Sequence, residues 1–185
     1  MPPFIPMKKE DLTPKELDAL DQYTGGESLW INNFLREHNL GELNLPQKEK
    51  LRNYTVHLNN IINKAPRSTT DTTVYRGAEA MEDKWKSMNK GDDLLFTQKG
   101  LISTSFNKQV ALDFIEDDSP CCLLVLRLPQ NTKGLYISLE SAFGDLEEDE
   151  LLLPHGSRFR ISSKKIKSYG PNKIITYYAD LISQL

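Results

Sequence analysis

Hydrophobic residues in the first third of the chain recur at helical spacing. Residues 13–16, Thr-Pro-Lys-Glu, combine a capping box with proline at the first helical position. A helix is therefore predicted to begin there and to stop at Gly25 and Gly26. A second helix is predicted over residues 28–38, and a third over 47–63, where leucine, tyrosine and isoleucine lie on one helical face.

After residue 72 the pattern changes to short β-prone runs between polar segments. Helices at 79–89 and 107–115 are predicted to interrupt these runs. A helical part, 1–70, followed by a β-rich part, 71–185, predicts an α+β fold in a single domain. The predicted strands cover 73–76, 94–97, 101–105, 121–128, 134–138, 149–153, 158–162 and 173–181.

The charge pattern bears on the class of partner. The chain has 185 residues and a net charge of -3, and its acidic and basic residues are interspersed. A protein that binds nucleic acid through general electrostatics would present a strongly basic face, so no nucleic-acid partner is predicted. Basic residues do gather near the C-terminus, and we interpret them as a solvated strand end; they are Arg158, Arg160, Lys164, Lys165 and Lys167.

The spacing of cysteine, histidine and apolar residues argues against three further classes of protein: disulfide-rich, metal-binding and membrane-spanning. Cys121 and Cys122 are adjacent and give no disulfide framework. His38, His57 and His155 are scattered, so no metal site is predicted. No apolar run approaches the roughly 20 residues of a spanning helix, so no membrane partner is predicted.

An acidic run passes directly into an apolar run over residues 144–154. In a strand, Glu148 and Glu150 would point the same way, about 6 to 7 Å apart, which permits a paired-carboxylate site. Glu147 and Asp149 are alternative carboxylates, and a solvated acidic loop is the alternative interpretation. We prefer Glu148 and Glu150 because the apolar run starts directly after Glu150.

Two earlier segments carry further candidate chemistry. A β-prone run delivers Arg76, whose planar fork suits a phosphate or carboxylate, and Gly77, which lets a ligand approach the backbone. Three hydroxyls follow an apolar pair, and alternation turns Ser103 and Ser105 to one face and Thr104 to the other. Taken singly, the first segment is better explained by a strand-end arginine in a surface salt bridge, and the alternative for the second is a polar edge strand.

In this order the three segments resemble the arginine, Ser-Thr-Ser and Glu-x-Glu motifs of toxin-like mono-ADP-ribosyltransferases, and most closely those of the arginine-modifying branch. Upstream, Tyr23-Thr24-Gly25-Gly26, Ile31-Asn32 and Leu35-Arg36 resemble the family's helical approach segment. Downstream, residues 154–159 resemble the turn and strand after its catalytic glutamate. The resemblance covers residues 14–182.

The resemblance implies N-terminal helices on a small mixed β-sandwich, with a cleft that holds NAD without a glycine-rich Rossmann loop. NAD is the expected substrate, and no metal is expected. Arg76 would grip the diphosphate, Gly77 would offer backbone groups to the nicotinamide amide, and Glu150 would stabilise the ribose cation. Ser103 would orient Glu150, and Ser105 would support the cleft.

The resemblance also implies a protein acceptor that presents an arginine, because glutamate at Glu148 marks that branch. Glu148 would orient the acceptor guanidinium and remove its proton. Phe143 would contact substrate or anchor its loop, and Phe106 and Phe114 would lie near the nicotinamide or in the core. We expect a monomer acting in the cytoplasm of the producing cell or of a host, with any delivery dependent on another chain. An NAD glycohydrolase and an inactive binding module of the same fold are the alternatives.

Overall fold

The computed structural model describes residues 3–79, 93–115, 121–137, 149–169 and 172–185. The predicted helix over 79–89 lies outside these residues, apart from Glu79, which ends a strand. None of the helices in the described ranges is long and apolar enough to span a bilayer. The described α-helices are α1 (Pro14–Gln22), α2 (Ser28–Leu35), α3 (Leu45–Lys64) and α4 (Lys108–Asp113). A segment kinked at Gly26, Tyr23–Glu27, joins α1 to α2.

The first helix begins as the capping box predicts. Thr13 accepts a hydrogen bond from the Glu16 backbone N–H at 3.3 Å, and Glu16 accepts one from the Thr13 N–H at 2.8 Å. The Glu16 carboxylate also accepts from Lys64 Nζ at 2.7 Å. Glu16 is only 2% exposed, so this ion pair joins α1 to the end of α3 from within the helical layer.

Eight strands form one mixed sheet in the order β2-β7-β8-β4-β1-β3-β6-β5. The β4–β8 pair is parallel and the other described pairs are antiparallel. The predicted α+β fold, with helices preceding a mixed β core, is confirmed. The strands are β1 (Thr72–Glu79), β2 (Leu94–Gln98), β3 (Ile102–Ser105), β4 (Cys121–Leu128), β5 (Leu135–Ile137), β6 (Glu150–Leu153), β7 (Ser157–Tyr169) and β8 (Asn172–Ser183).

Short connections force this sheet to curl. Strand β2 ends at Gln98 and β3 begins at Ile102, although the two strands lie five positions apart in the sheet order. Five strand spacings of about 4.8 Å make about 24 Å in a flat sheet, whereas four residue steps span at most about 15 Å. The link from β6 to β7 makes the same demand. The two ends of the sheet therefore face each other, as in a sandwich.

Two hydrophobic clusters fill the space on either side of β3, β5 and β6. In the first, helical residues pack on Leu101, Leu135, Ile137 and Leu152. The second lies between the two ends of the sheet, since it includes members from both; among them are Val74, Leu124, Ile102, Leu151, Phe159 and Tyr177. This second cluster is the sandwich core.

Strand β7 differs most from its prediction. It was predicted over 158–162 and runs through 13 residues, pairing with β8 along nearly its whole length. The basic residues assigned to a strand end therefore lie along β7, where Arg158 and Arg160 are exposed. Pairing with β8 extends β7 beyond the residues whose apolar alternation predicts a strand. The register of the pair also shifts after Arg158 and after Ile161.

Candidate active site

A cleft of about 730 Å³ opens where the two ends of the sheet approach the helices. Its volume lies within the range of small-molecule sites, roughly 300 to 1,000 Å³. All five residues predicted to bind NAD line it: Arg76, Gly77, Ser103, Ser105 and Glu150. The structure therefore brings these predicted positions together, and their chemical roles stay predictions.

Arg76 enters the cleft from the middle of β1. Val74 and Arg76 lie on the same face of the strand, and Val74 is fully buried in the sandwich core. The Arg76 side chain therefore leaves the core side of β1 and reaches across to β3. There its Nη1 donates a hydrogen bond of 2.8 Å to the Ser103 carbonyl.

Glu150 is the first residue of β6 and is 8% exposed. It stands directly opposite Ser105 on β3 and opposite Ile137 on β5, while Ser103 pairs with Leu152. Ser103 is therefore the diagonal neighbour of Glu150, and Ser105 is its direct partner. The prediction that Ser103 orients Glu150 stays a prediction. By the strand register, Ser105 can orient the Glu150 carboxylate equally well.

Thr104 points to the other face of β3. Its hydroxyl is buried and donates a hydrogen bond of 2.7 Å to the Leu151 carbonyl. This bond reinforces the β3–β6 ladder, which agrees with the interpretation of Thr104 as a structural residue.

The backbone at Asp149 departs from the predicted strand. Its φ is 44°, in the left-handed region, and β6 begins one residue later, at Glu150. The strand predicted over 149–153 is thus one residue too long. Glu148 and Phe143 lie outside the described residues.

Tyr23 lies close to this group of charges. It begins the kinked segment between α1 and α2, is 5% exposed, and its hydroxyl accepts a hydrogen bond from Asn32 Nδ2 at 3.4 Å. Burial raises the pKa of Tyr23, and the Glu150 charge raises that pKa further.

Arg36 contributes a second guanidinium to the lining of the cleft. Sequence reasoning had included Arg36 in the approach segment and had given it no role. Burial holds the pKa of Arg76 below its ordinary value, and the positive charge of Arg36 lowers it further. The negative charge of Glu150 opposes that shift. Two guanidinium groups and one carboxylate together carry a net positive charge, which suits the binding of an additional anion.

A side-chain hydrogen bond holds α2 against the start of β3. Asn32 Oδ1 accepts a hydrogen bond from the Leu101 N–H at 2.8 Å. A Cβ on Gly100 would lie 2.7 Å from the same oxygen and 3.1 Å from Arg36 Nε. The close approach of α2 to this corner thus depends on a glycine at position 100.

Close packing explains why position 77 is a glycine, and the sequence pattern alone does not show this packing. A Cβ at Gly77 would overlap the backbone carbonyl oxygen of Ala111 in α4 and lie 3.0 Å from Ile115 Cγ1. Gly77 therefore lets α4 pack directly on β1. The predicted contact between its backbone and the nicotinamide amide stays a prediction.

The two phenylalanines after Ser105 have different environments. Phe106 packs with Phe4 and Tyr136, with ring centroids 6.1 and 5.3 Å away, at the edge of the sandwich core. Phe114 lines the cleft and is 63% exposed. Of the two, Phe114 is the one that lines the cleft.

The cleft suits the charges of NAD. The guanidinium groups of Arg36 and Arg76 suit a diphosphate, which accepts paired hydrogen bonds from planar forks. The buried Glu150 is suited to a positively charged sugar ring. Among the described residues no group of three or more histidine, cysteine or acidic side chains could hold a metal ion.

The chain belongs to the ADP-ribosyltransferase exoenzyme family, whose sequence model matches residues 6–182. Enzymes of this family transfer ADP-ribose, and its toxins take that group from NAD. A protein of Acanthamoeba polyphaga mimivirus is 26% identical over 159 residues, which are 80% of this chain and 20% of that protein. The chain thus spans about one fifth of the length of that relative.

Solved structures share the fold. Plx2a, an ADP-ribosyltransferase toxin from Paenibacillus larvae, superposes with a TM-score of 0.73 at 22% identity, covering 95% of this chain and 89% of that one. The Vis toxin from Vibrio splendidus gives 0.70 at 20% identity, covering 94% and 76%. BECa of a Clostridium perfringens binary enterotoxin, solved with NADH, gives 0.71 at 22% identity, covering 94% and 44%.

Proposed function

We propose that the chain transfers ADP-ribose from NAD to an arginine side chain of a target protein and releases nicotinamide. The single observation that carries this proposal is the position of Glu150, a buried carboxylate in a cleft that also contains Arg76 and Arg36. The Glu150 carboxylate suits a developing cation on the ribose. The two guanidinium groups suit the diphosphate that is attached to that ribose.

Cleavage begins at the bond between the ribose C1′ and the nicotinamide nitrogen. Nicotinamide leaves with the bonding electrons, and the ribose becomes an oxocarbenium-like cation. Glu150 stabilises that cation as it forms. Arg76 and Arg36 hold the diphosphate, so that the ribose stays aligned with Glu150. Phe114, exposed on the wall of the cleft, offers an aromatic face to the nicotinamide.

Transfer then requires a nucleophile. A guanidinium has a pKa above 12 and becomes nucleophilic only when it is oriented and loses a proton. We assign that task to Glu148, which lies two residues before Glu150 in the sequence. The guanidine nitrogen then bonds to C1′, and its proton passes to the Glu148 carboxylate.

Two observations support arginine as the acceptor. The glutamate at Glu148 is the residue of the arginine-modifying branch in the resemblance described above. The Vis toxin has been solved in complex with agmatine, a small guanidine, and has the same fold as this chain. An NAD glycohydrolase, which passes ADP-ribose to water, is the second candidate, because Glu150 and Arg76 would serve water equally well.

The test uses NAD labelled in the adenosine part, with agmatine as the acceptor probe. Formation of labelled ADP-ribosyl-agmatine faster than free ADP-ribose supports arginine transfer. Free ADP-ribose alone supports the glycohydrolase. Absence of both products at any agmatine concentration would reject the proposed site, and labelled lysate proteins analysed by mass spectrometry would then show whether a different side chain is modified.

A further inference from the structure

Asp149 holds an unusual backbone conformation immediately before Glu150. Its φ of 44° lies in the left-handed region, which costs energy for residues with a Cβ and which aspartate tolerates better than most. Such conformations persist where surrounding contacts hold them, and they concentrate at functional sites. Asp149 itself is exposed, so burial of its side chain is not what holds it.

Three contacts close a triangle around Asp149. The Tyr136 hydroxyl donates a hydrogen bond of 2.9 Å to Asp149 Oδ1. The Phe106 N–H donates one of 3.3 Å to the Asp149 carbonyl. The Tyr136 and Phe106 rings pack edge to face with centroids 5.3 Å apart. Both the side chain and the backbone of Asp149 are thus fixed by residues that also contact each other.

The triangle adjoins the Glu150 register on both sides. Tyr136 precedes Ile137, and Phe106 follows Ser105. Ile137 and Ser105 are the two strand partners of Glu150. Because Glu150 is the first residue of β6, Asp149 is the residue through which the chain enters that strand. The conformation of Asp149 therefore sets the direction in which the chain enters β6.

We propose that Asp149 and Tyr136 are positioning residues, which direct the Glu150 carboxylate into the cleft by holding Asp149 in its left-handed conformation. The proposal rests on the role proposed above for Glu150. In this role the Asp149 carboxylate binds Tyr136. Asp149 is therefore not one of the carboxylates that would bind the acceptor arginine.

The test compares Tyr136→Phe, Asp149→Ala and Asp149→Asn, with Tyr54→Phe on α3 as the matched control. NAD hydrolysis and transfer to agmatine are measured at saturating NAD, together with KM for NAD. Tyr136→Phe and Asp149→Ala should lower kcat for both activities in parallel by roughly tenfold or more, because a displaced catalytic group loses rate steeply. KM for NAD should stay within about twofold, since the residues that hold the diphosphate are unchanged.

Asp149→Asn should restore most of the rate, since asparagine tolerates the left-handed region and its oxygen still accepts from Tyr136. Tyr54→Phe should behave as wild type. Wild-type kcat in both Tyr136→Phe and Asp149→Ala would overturn the proposal. Selective loss of agmatine transfer in Asp149→Asn would also overturn it, because Asp149 would then contact the acceptor.

Glu150→Gln in the same assays separates this proposal from the one it depends on. If Glu150→Gln is inactive while both Tyr136→Phe and Asp149→Ala have wild-type kcat, the positioning role is wrong and the catalytic site stands. If Glu150→Gln keeps wild-type turnover, the catalytic assignment is wrong and the positioning role falls with it.

Discussion

The guanidinium of Arg76 donates a hydrogen bond of 2.8 Å to the backbone carbonyl of Ser103, joining the strand of the arginine to the strand of the serines. The register of β1 with β3 has the single pair Tyr75 with Ser105, so the side-chain bond supplements a short ladder. Arginine has five N–H donors, and one is used here. Arg76 can therefore bind a ligand while it also holds the wall of the cleft.

Arg76→Lys should weaken NAD binding although the positive charge is kept, because an ammonium cannot reproduce a fork that bridges a phosphate and the Ser103 carbonyl. Isothermal titration calorimetry with NAD measures the effect. Arg158→Lys, on the exposed part of β7, is the control and should bind as wild type. An unchanged NAD affinity in Arg76→Lys would show that Arg76 serves only to join β1 to β3.

Glu150→Gln should nearly abolish both NAD hydrolysis and transfer. The substitution removes the charge that stabilises the ribose cation and keeps the shape of the side chain, and the expected loss in kcat is at least ~100-fold. Urea unfolding should show little change in stability. Turnover close to that of wild type would remove Glu150 from the chemistry.

The sequence motifs grouped residues that the structure places at one cleft, and the roles of those residues stay predictions. Arg76, Ser103 and Glu150 carry the distinctive chemical groups of their segments, so the order of these segments along the chain was enough to group them. The structure places all three at one cleft. Arg36 was included in a motif but assigned no role, since its position beside Arg76 depends on how α2 packs on the sheet.

Other features depend on contacts that no local pattern contains. Alternation placed Asp149 within a strand, and the hydrogen bonds from Tyr136 and Phe106 to Asp149 come from two other segments. The same holds for Gly77, where the carbonyl of Ala111 takes the place of a side chain. The order of strands in the sheet was also beyond prediction, because short links connect strands that are distant in that order.

Gly77→Ala should destabilise the fold. The added methyl would overlap the Ala111 carbonyl, so β1 and α4 would have to separate, at a cost of about 1 to 3 kcal/mol typical of overpacking. Gly41→Ala is the control, because no atom lies within 4 Å of the added carbon. Urea unfolding of both variants measures the difference. Equal stability of the two would show that α4 moves away without cost.

The ion pair between the buried Glu16 and the exposed Lys64 predicts a pH dependence of stability. Burial alone would raise the pKa of Glu16, but hydrogen bonds from Lys64 and Thr13 lower it below the ordinary value of 4.5. A depressed pKa in the folded state contributes stability that is complete above pH 4.5 and is lost as the pH falls through the folded value.

Glu16→Gln should therefore lower stability at pH 7 and reduce the slope of unfolding free energy against pH below pH 4.5. Urea unfolding at a series of pH values from 7 downwards measures both effects. Glu10→Gln is the control, since Glu10 is exposed. The same acid slope in Glu16→Gln as in wild type would assign the loss of stability to other carboxylates.

Glu148→Gln separates the two halves of the reaction, because the proposed mechanism gives Glu148 to the acceptor and not to NAD. The variant should lose transfer to agmatine while much of the slow NAD hydrolysis survives. Glu150 and Arg76 still serve the ribose cation, and water as the nucleophile needs no deprotonated guanidinium. Rates of both reactions, measured with one labelled NAD preparation, give the ratio directly. Parallel loss would place Glu148 in NAD cleavage itself, and preserved transfer would mean that another carboxylate of the acidic run receives the arginine.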